Sequence, residues 1–429
     1  MKSSKKILFI SPQPFFTERG SPLRIHCTLS ALSALGYEVD LLAFPFGDDI
    51  KIRGMRIFRG ARPFNIRNVP IGPSWRKLAL DGSLSLAARK LANENDYALI
   101  HGVEEAALIA CYLAKRKGIP YFVDMHSLLP EHLAQSGFLK SKILLNFLVK
   151  RFDACLRGAG GVMTVADELT EYVARIAPQI PVSTIEDLPL DTIGTADERL
   201  VERLRSELGL TGTPEQKVVL YTGNFKPYQG IDLLLHSFAK LKEMGALGPS
   251  NKEAVLLIAG GNCEEEVTLY KGLARDLNLG DSVIFTGSRP ASEMSSFMSL
   301  GDILVSPRTL GGNTPLKIYS YMAANRLIVA TRISSHTQVL DDNSALLVEP
   351  RPAEFAQALA AAIRPTREQR KDFAARIARA KELTESRFTK RNFELCIGTL
   401  YRNLIGPGAV DVEQESTDEE VIERAVTQV

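Results

Sequence analysis

Short, nearly all-apolar runs alternate with longer amphipathic segments along this chain, and the alternation runs twice. Apolar runs without a polar face suit strands buried on both sides of a parallel sheet, and the segments between them supply the covering helices. The first series predicts strands at Lys6–Ser11, Glu38–Phe44, Ala98–His101, Tyr121–Asp124 and Gly161–Val165. Helices fill the gaps at Ser21–Leu35, Trp75–Ala92, Glu104–Arg116 and Ser141–Leu156, with Gly36 and Gly118 where C-terminal caps belong. The second series predicts strands at Lys217–Thr222, Glu253–Ala259, Ser282–Thr286, Asp302–Ser306, Leu327–Ala330 and Ala345–Val348. Its helices fall at Ile231–Met244, Glu264–Leu277, Glu293–Leu300, Leu316–Ala324 and Ala353–Ile363. The fold class is α/β: two doubly wound parallel sheets facing a central cleft, with ligands at the carboxyl ends of the strands.

A chain of 429 residues is long for one hydrophobic core, which also favours two domains. Between the series, Ala177–Asp197 holds three prolines, several threonines and the acidic pair Glu186 and Asp187, without helical period. The expected organisation is a first domain over 1–180, a linker over 181–214, a second domain over 215–380, a helix over 381–405 and a tail over 406–429. Thr366–Leu404 reads as charged helix with an apolar stripe through Phe393, Cys396, Leu400 and Leu404. Beyond Gly406-Pro407-Gly408 the chain is acidic and poor in large apolar residues, the composition of a disordered tail.

Composition excludes several classes. A net charge of +2 and the lack of basic blocks interleaved with aromatics argue against a nucleic-acid ligand. Five widely spaced cysteines with no Cys-x-x-Cys fit neither a disulfide framework nor a zinc site, and favour a reducing compartment. The basic start Met1–Lys6 is followed by only four apolar residues, Ile7–Ile10, which read as a first strand rather than a signal peptide. No apolar stretch is long enough to span a bilayer, so the expected location is cytoplasmic, with a peripheral membrane contact left open.

The most informative segment for chemistry is Ser306–Ala323. A strand ends, the paired glycines Gly311 and Gly312 follow, and a helix begins with Asn313 or Thr314 as cap and Pro315 in its first turn. Such a helix start offers unpaired amides and the positive end of a dipole, which suits a phosphate, and Lys317 adds a cation. A well-capped structural helix is the plainer reading, but glycines, cap and cation at one strand-to-helix junction favour the phosphate. A second junction, Tyr221–Asp232, brackets Lys226 between Gly223 and Gly230 on the same sheet edge. In the first domain, Arg19–Arg24 opens a helix, with Gly20 open to a ligand and Ser21 as cap before Pro22; a simple helix cap reads equally well.

Of six histidines, His26, His132, His236 and His336 receive structural or solvent roles. His101 ends a strand, and His126 stands just past one in Asp124-Met125-His126-Ser127, where a ligand-facing residue belongs. No Walker A, Gly-x-Ser-x-Gly, His-x-x-x-His or Asp-x-Asp sequence occurs, so no metal or other cofactor is expected.

Taken together, Arg19–Arg24, Asp124–Ser127, Gly223–Asp232, Val283–Gly287 and Asp302–Thr331 resemble the GT-B glycosyltransferases of family 4, over about Lys5 to Leu404. The resemblance implies two Rossmann-like domains, the acceptor mainly on the first and the nucleotide sugar on the second. It implies metal-independent transfer with retention, and a last helix returning to the first domain. Carried over by position, Gly20 and Ser21 approach the donor, His126 lies near the reacting sugar, and Thr314, Pro315 and Leu316 hold the distal phosphate. Gly260, Gly261 and Thr286–Arg289, Arg289 included, match segments lining the base. The family's two glutamates, separated by seven residues, are replaced by Gly312 and Ser320, and its arginine and lysine in the second domain's first loop by Asn224 and Gln229. Lys226 and Arg308 are the nearest sources of replacement charge, and Asn313 belongs to the same turn.

The leading expectation is a retaining transferase using a UDP- or GDP-sugar to build a surface glycan or glycolipid. A sugar-nucleotide 2-epimerase lacks a matching acidic pair here, whereas a catalytically silent sugar-nucleotide-binding subunit fits the missing glutamates. Leu139–Arg157 sets Lys140, Lys142, Lys150, Arg151 and Arg157 among large apolar residues; an anionic membrane surface and an ordinary solvated face both remain open.

Overall fold

The computed structural model describes residues 5–17, 20–67, 69, 74–128, 141–189, 196–213, 216–248, 253–261 and 263–408. The acidic tail expected to be disordered lies outside these residues from 409 onward, as do Arg19, His132 and Lys140. The chain divides into two compact units, one of Met1–Asp187 with Lys390–Val429, the other of Leu188–Thr389.

The first unit is built on seven parallel strands: β1 Lys6–Pro14, β2 Glu38–Phe44, β3 Met55–Arg59, β4 Leu99–Val103, β5 Tyr121–Met125, β6 Gly161–Thr164 and β7 Val182–Thr184, in the order β3-β2-β1-β4-β5-β6-β7. Its helices are α1 Gly20–Ala34, α2 Trp75–Glu94, α3 Ala106–Lys117, α4 Lys142–Leu156 and α5 Asp167–Ile176. Two of its strands, β3 and β7, escape the apolar-run signal. β3 interleaves two arginines with apolar residues and β7 spans three residues; both lie at sheet edges, where one side needs no cover. Ser74 caps α2 through the Lys77 amide at 3.2 Å, and the expected C-cap Gly118 closes α3 in the left-handed conformation.

The second unit opens with α6 Glu198–Glu207, within the segment read as linker. Its six parallel strands are β8 Lys217–Gly223, β9 Ala254–Gly260, β10 Val283–Gly287, β11 Ile303–Ser306, β12 Leu327–Thr331 and β13 Leu346–Val348, ordered β10-β9-β8-β11-β12-β13. The helices α7 Ile231–Glu243, α8 Glu264–Asp276, α9 Met294–Leu300, α10 Leu316–Ala323, α11 Ser334–Thr337, α12 Pro352–Ile363 and α13 Arg367–Ser386 cover both faces. Alternation along β8 shows the two layers: Val219 and Tyr221 pack with α7 and α12, while Val218 and Leu220 pack with α9 and α10. The final helix, α14 Lys390–Ile405, belongs to the first unit and packs on α1, burying Phe393, Ile397, Leu400 and Tyr401.

Candidate active site

In the second unit the strand order reverses between β8 and β11. Loops leaving the carboxyl ends of such strands flank the place where open α/β sheets take ligands. Here they pack together. The Thr309 amide donates to the Tyr228 carbonyl at 2.9 Å, and a Cβ at Gly230 would stand 2.0 Å from the Pro307 oxygen. The turn after β9 joins them: the Gly261 amide donates to the Gly223 carbonyl at 3.1 Å, and a Cβ at Gly260 would lie 1.8 Å from that oxygen. Gly260 also has φ +143°, open to glycine alone. Gly260→Ala is expected to destabilise the second unit by about 3 kcal/mol or more. Calorimetric unfolding checks this, and an unchanged Tm would contradict the close approach.

The start of α10 departs from expectation in one respect. Pro315 itself is the N-cap, with no side-chain cap, and the helix begins at Leu316. Asn313 cannot serve because Arg308 holds it: Nη2 donates to Asn313 Oδ1 at 3.0 Å and Nη1 to its carbonyl at 2.9 Å. Arg308 Nε also donates to the Leu310 carbonyl at 2.7 Å, so this buried arginine shapes the turn from within. Gly311 has φ +123°, and a Cβ there would meet Arg308 Nη2 at 2.0 Å. Thr314 and Pro315 are buried beneath the turn, and the first-turn amides of Leu316 and Lys317 have no intrahelical acceptor.

Lys317 reaches back under this turn. Its buried Nζ lies 3.8 Å from the Tyr221 ring centroid and has no hydrogen-bond partner among the described residues. The same nitrogen is 3.4 Å from where a Cβ of Gly223 would be, so glycine there keeps the space open. Burial first, and then the Arg308 charge, hold the Lys317 pKa well below the ordinary lysine value. An unpaired buried ammonium beside a guanidinium is costly, and an anion seated on the turn relieves both.

The other expected cations are balanced. Lys226 Nζ pairs with Glu266 Oε1 at 3.0 Å, and Arg289 pairs with Glu207 at 2.6 Å and Glu293 at 3.7 Å while lying over Phe297. Asn224 and Gln229, where the family resemblance places arginine and lysine, brace Tyr221. Its hydroxyl donates to the Asn224 carbonyl at 2.7 Å and lies 3.5 Å from Gln229 Oε1. Positive charge thus enters from α10 rather than from the first loop. Ser320 is buried, its hydroxyl unpartnered among the described residues. Gly261 packs against Val267 and Phe225. His336 is structural, bonded to Ser306 at 2.9 Å and the Thr331 carbonyl at 2.7 Å, and burial pushes its pKa down to about 3.

In the first unit, α1 begins at Gly20, one residue earlier than expected, so Ser21 is its second residue and not its cap. Gly20 is exposed with open space about it. His126 is buried just past β5, with Nε2 3.2 Å from Asp124 Oδ2. Glu104, at the end of β4, accepts the His126 amide at 3.1 Å and the Ser127 hydroxyl at 2.9 Å on one carboxylate oxygen. Burial and the neighbouring Glu105 raise the Glu104 pKa to about 7, against the pull of His126. Burial would lower the His126 pKa, but the Asp124 charge prevails and raises it. Asp124 is held well below the carboxylate range: burial opposes this, and His126, His101 and Arg24 overcome it. Glu104 was not picked out from sequence, and Asp124 and Arg24 entered only as members of the segments Asp124–Ser127 and Arg19–Arg24, without roles of their own; the signal available was position at the carboxyl ends of β4 and β5 and inside α1.

Two family descriptions match: "Glycosyltransferase Family 4" over residues 20–186 and "Glycosyl transferases group 1" over 216–364. D-inositol 3-phosphate glycosyltransferase of Corynebacterium efficiens is 30% identical over 42% of this chain and 41% of its own length. The sulfoquinovosyl transferase of Arabidopsis thaliana is 22% identical over 80% of this chain and 62% of its own. The chain thus spans less than two thirds of either relative. Among solved structures, sucrose-phosphate synthase from Thermosynechococcus elongatus superposes with a TM-score of 0.73 at 20% identity, covering 93% of this chain and 99% of that one. HepE of Anabaena, solved with UDP and glucose, gives 0.71 at 17% identity, covering 93% and 100%. With both halves matched by the same family and the fold shared with these enzymes, the chain belongs to glycosyltransferase family 4 and has the GT-B fold.

Proposed function

We propose that this protein is a retaining glycosyltransferase that moves a sugar from a UDP- or GDP-sugar to a glycan, glycolipid or other small acceptor. The observation that carries the reading is the Lys317 amine, without a hydrogen-bond partner among the described residues, under the uncapped start of α10. A diphosphate on this turn accepts the first-turn amides and neutralises Lys317 and Arg308, so the protein's own cations, not a divalent metal, balance the leaving group. When the bond from the anomeric carbon to the phosphate oxygen breaks, negative charge gathers on that oxygen, where these donors stabilise it. His126 acts as a hydrogen-bonding group to the transferred sugar. The UDP-bound state of HepE supports the donor class. A silent binding subunit is the competing reading, favoured by Gly312 and Ser320 at the glutamate positions. Incubation with a panel of nucleotide sugars separates the two: release of nucleoside diphosphate supports transfer, and tight binding without turnover supports the silent subunit.

A lipid-side acceptor is supported by the first unit's surface. On α4, Ile143 is 84% and Phe147 57% exposed beside Lys142, Lys150 and Arg151. Phe64, Trp75 and Leu78, at and before the start of α2, are exposed too, with Arg76 over Trp75. Both helices follow parallel strands, so their starts share the sheet edge that carries His126. Apolar side chains among cations complement an anionic bilayer, and relatives include the alpha-monoglucosyldiacylglycerol synthase of Streptococcus pneumoniae. Substituting Ile143→Ser with Phe147→Ser is expected to weaken binding to phosphatidylglycerol vesicles about tenfold. Flotation measures this, and equal binding by variant and wild type contradicts it.

A further inference from the structure

Asp124, the penultimate residue of β5, is a fully buried carboxylate, and its Oδ2 faces two imidazoles, His126 Nε2 at 3.2 Å and His101 Nε2 at 3.5 Å. Its Oδ1 lies 4.0 Å from Arg24 Nε, and Arg24 Nη1 donates to Asp187 at 2.8 Å. On the far side of His101, Nδ1 is hydrogen-bonded to the hydroxyl of Tyr401, a residue of α14. Phe9 stacks on the His101 ring with centroids 4.0 Å apart, fixing its plane.

The direction of each proton follows from donor chemistry. An ionised carboxylate accepts only, so both facing Nε2 atoms carry hydrogen. Burial keeps His101 neutral despite Asp124, so its Nδ1 is an acceptor and the Tyr401 hydroxyl donates to it. The order is therefore Tyr401 to His101 to Asp124, with His126 facing the same carboxylate through Nε2. His126 is gripped twice, by Asp124 at Nε2 and by Glu104 at its backbone amide. Both ring nitrogens of His126 are buried without a hydrogen bond among the described residues, and Nε2 is the one that faces Asp124, at 3.2 Å.

We infer that Tyr401, His101 and Asp124 form a positioning chain that fixes the His126 ring through Nε2 and leaves Nδ1 as the nitrogen offered to the ligand. Its importance for turnover rests on the role proposed for His126, but the geometry does not. The charged groups facing the chain from neighbouring elements are Arg24 of α1, Glu104 after β4 and Asp187 after β7.

Nitrogen-15 spectra of the histidine rings in the full chain test this without any assay of transfer. Wild type is expected to show His126 with hydrogen on Nε2 when neutral, and a pKa above the ordinary histidine value. Asp124→Asn should lower that pKa, and Tyr401→Phe, which keeps the ring and removes only the hydroxyl, should change the His101 tautomer signature. In transfer assays Tyr401→Phe should cut kcat several-fold at constant KM for the donor. A His126 ring carrying its neutral hydrogen on Nδ1, or a His101 signature unaffected by Tyr401→Phe, overturns the inference. Should Asp124→Asn fail to fold, the Tyr401→Phe spectra decide alone. Full turnover in His126→Ala with the expected spectra would instead remove the catalytic reading and leave the chain in place.

Discussion

Lys317→Met should weaken UDP binding by roughly 10- to 100-fold, the loss expected when a charge-assisted contact to phosphate disappears. It should also abolish a proton signal. In the free protein, burial and Arg308 depress the Lys317 pKa, so a fraction of the amine is neutral; a bound diphosphate favours the ammonium. Binding to wild type therefore takes up protons, and affinity falls as pH rises between the free and bound pKa values. Calorimetry in buffers of different ionisation heat reads this uptake directly. Equal affinity in the variant, or binding heats independent of buffer in wild type, would remove Lys317 from the phosphate site. Methionine keeps the apolar stem against Tyr221, so the comparison isolates the charge.

His126→Ala carries the second large effect. It should lower kcat by about 100-fold, within the range for a positioned hydrogen-bonding or proton-transfer group. UDP affinity should stay at the wild-type value, because the residues proposed to hold the diphosphate belong to the second unit. The same residue contributes a pH-dependent stability. The folded pKa of His126 is raised above 6.5 by Asp124 in spite of burial, so the pair's contribution is complete below that value and is lost as pH rises through the folded pKa. The stability gap between wild type and His126→Ala should shrink over that window. A variant with wild-type kcat, or a gap that widens with pH, contradicts the assignment.

The strands of both sheets were legible because each is a nearly unbroken apolar run with a helix-period segment behind it. β3 and β7 were not, since an edge strand needs only one covered side and tolerates Arg56 and Arg59. Gly311, Gly312 and Lys317 pointed to the α10 turn because glycines and a cation at a strand-to-helix junction have few other uses. What Arg308 does was hidden: its bonds to Leu310 and Asn313 depend on loop geometry, and they make the expected cation a brace of the turn as well as a charge beneath it. Lys226 looked equally available until Glu266, 40 residues away, proved to balance it. Tyr401 and His101 are 300 positions apart, a contact no local pattern announces.

The α10 turn is proposed to hold the diphosphate of a sugar donor that the protein consumes. The most direct measurement is nucleoside diphosphate release from a panel of UDP- and GDP-sugars with a lipid extract as acceptor, for wild type beside Lys317→Met. Wild type should consume one donor, and the variant should consume it at least tenfold more slowly at subsaturating donor. Turnover at the same rate in both proteins, or no donor consumed by wild type, would contradict it.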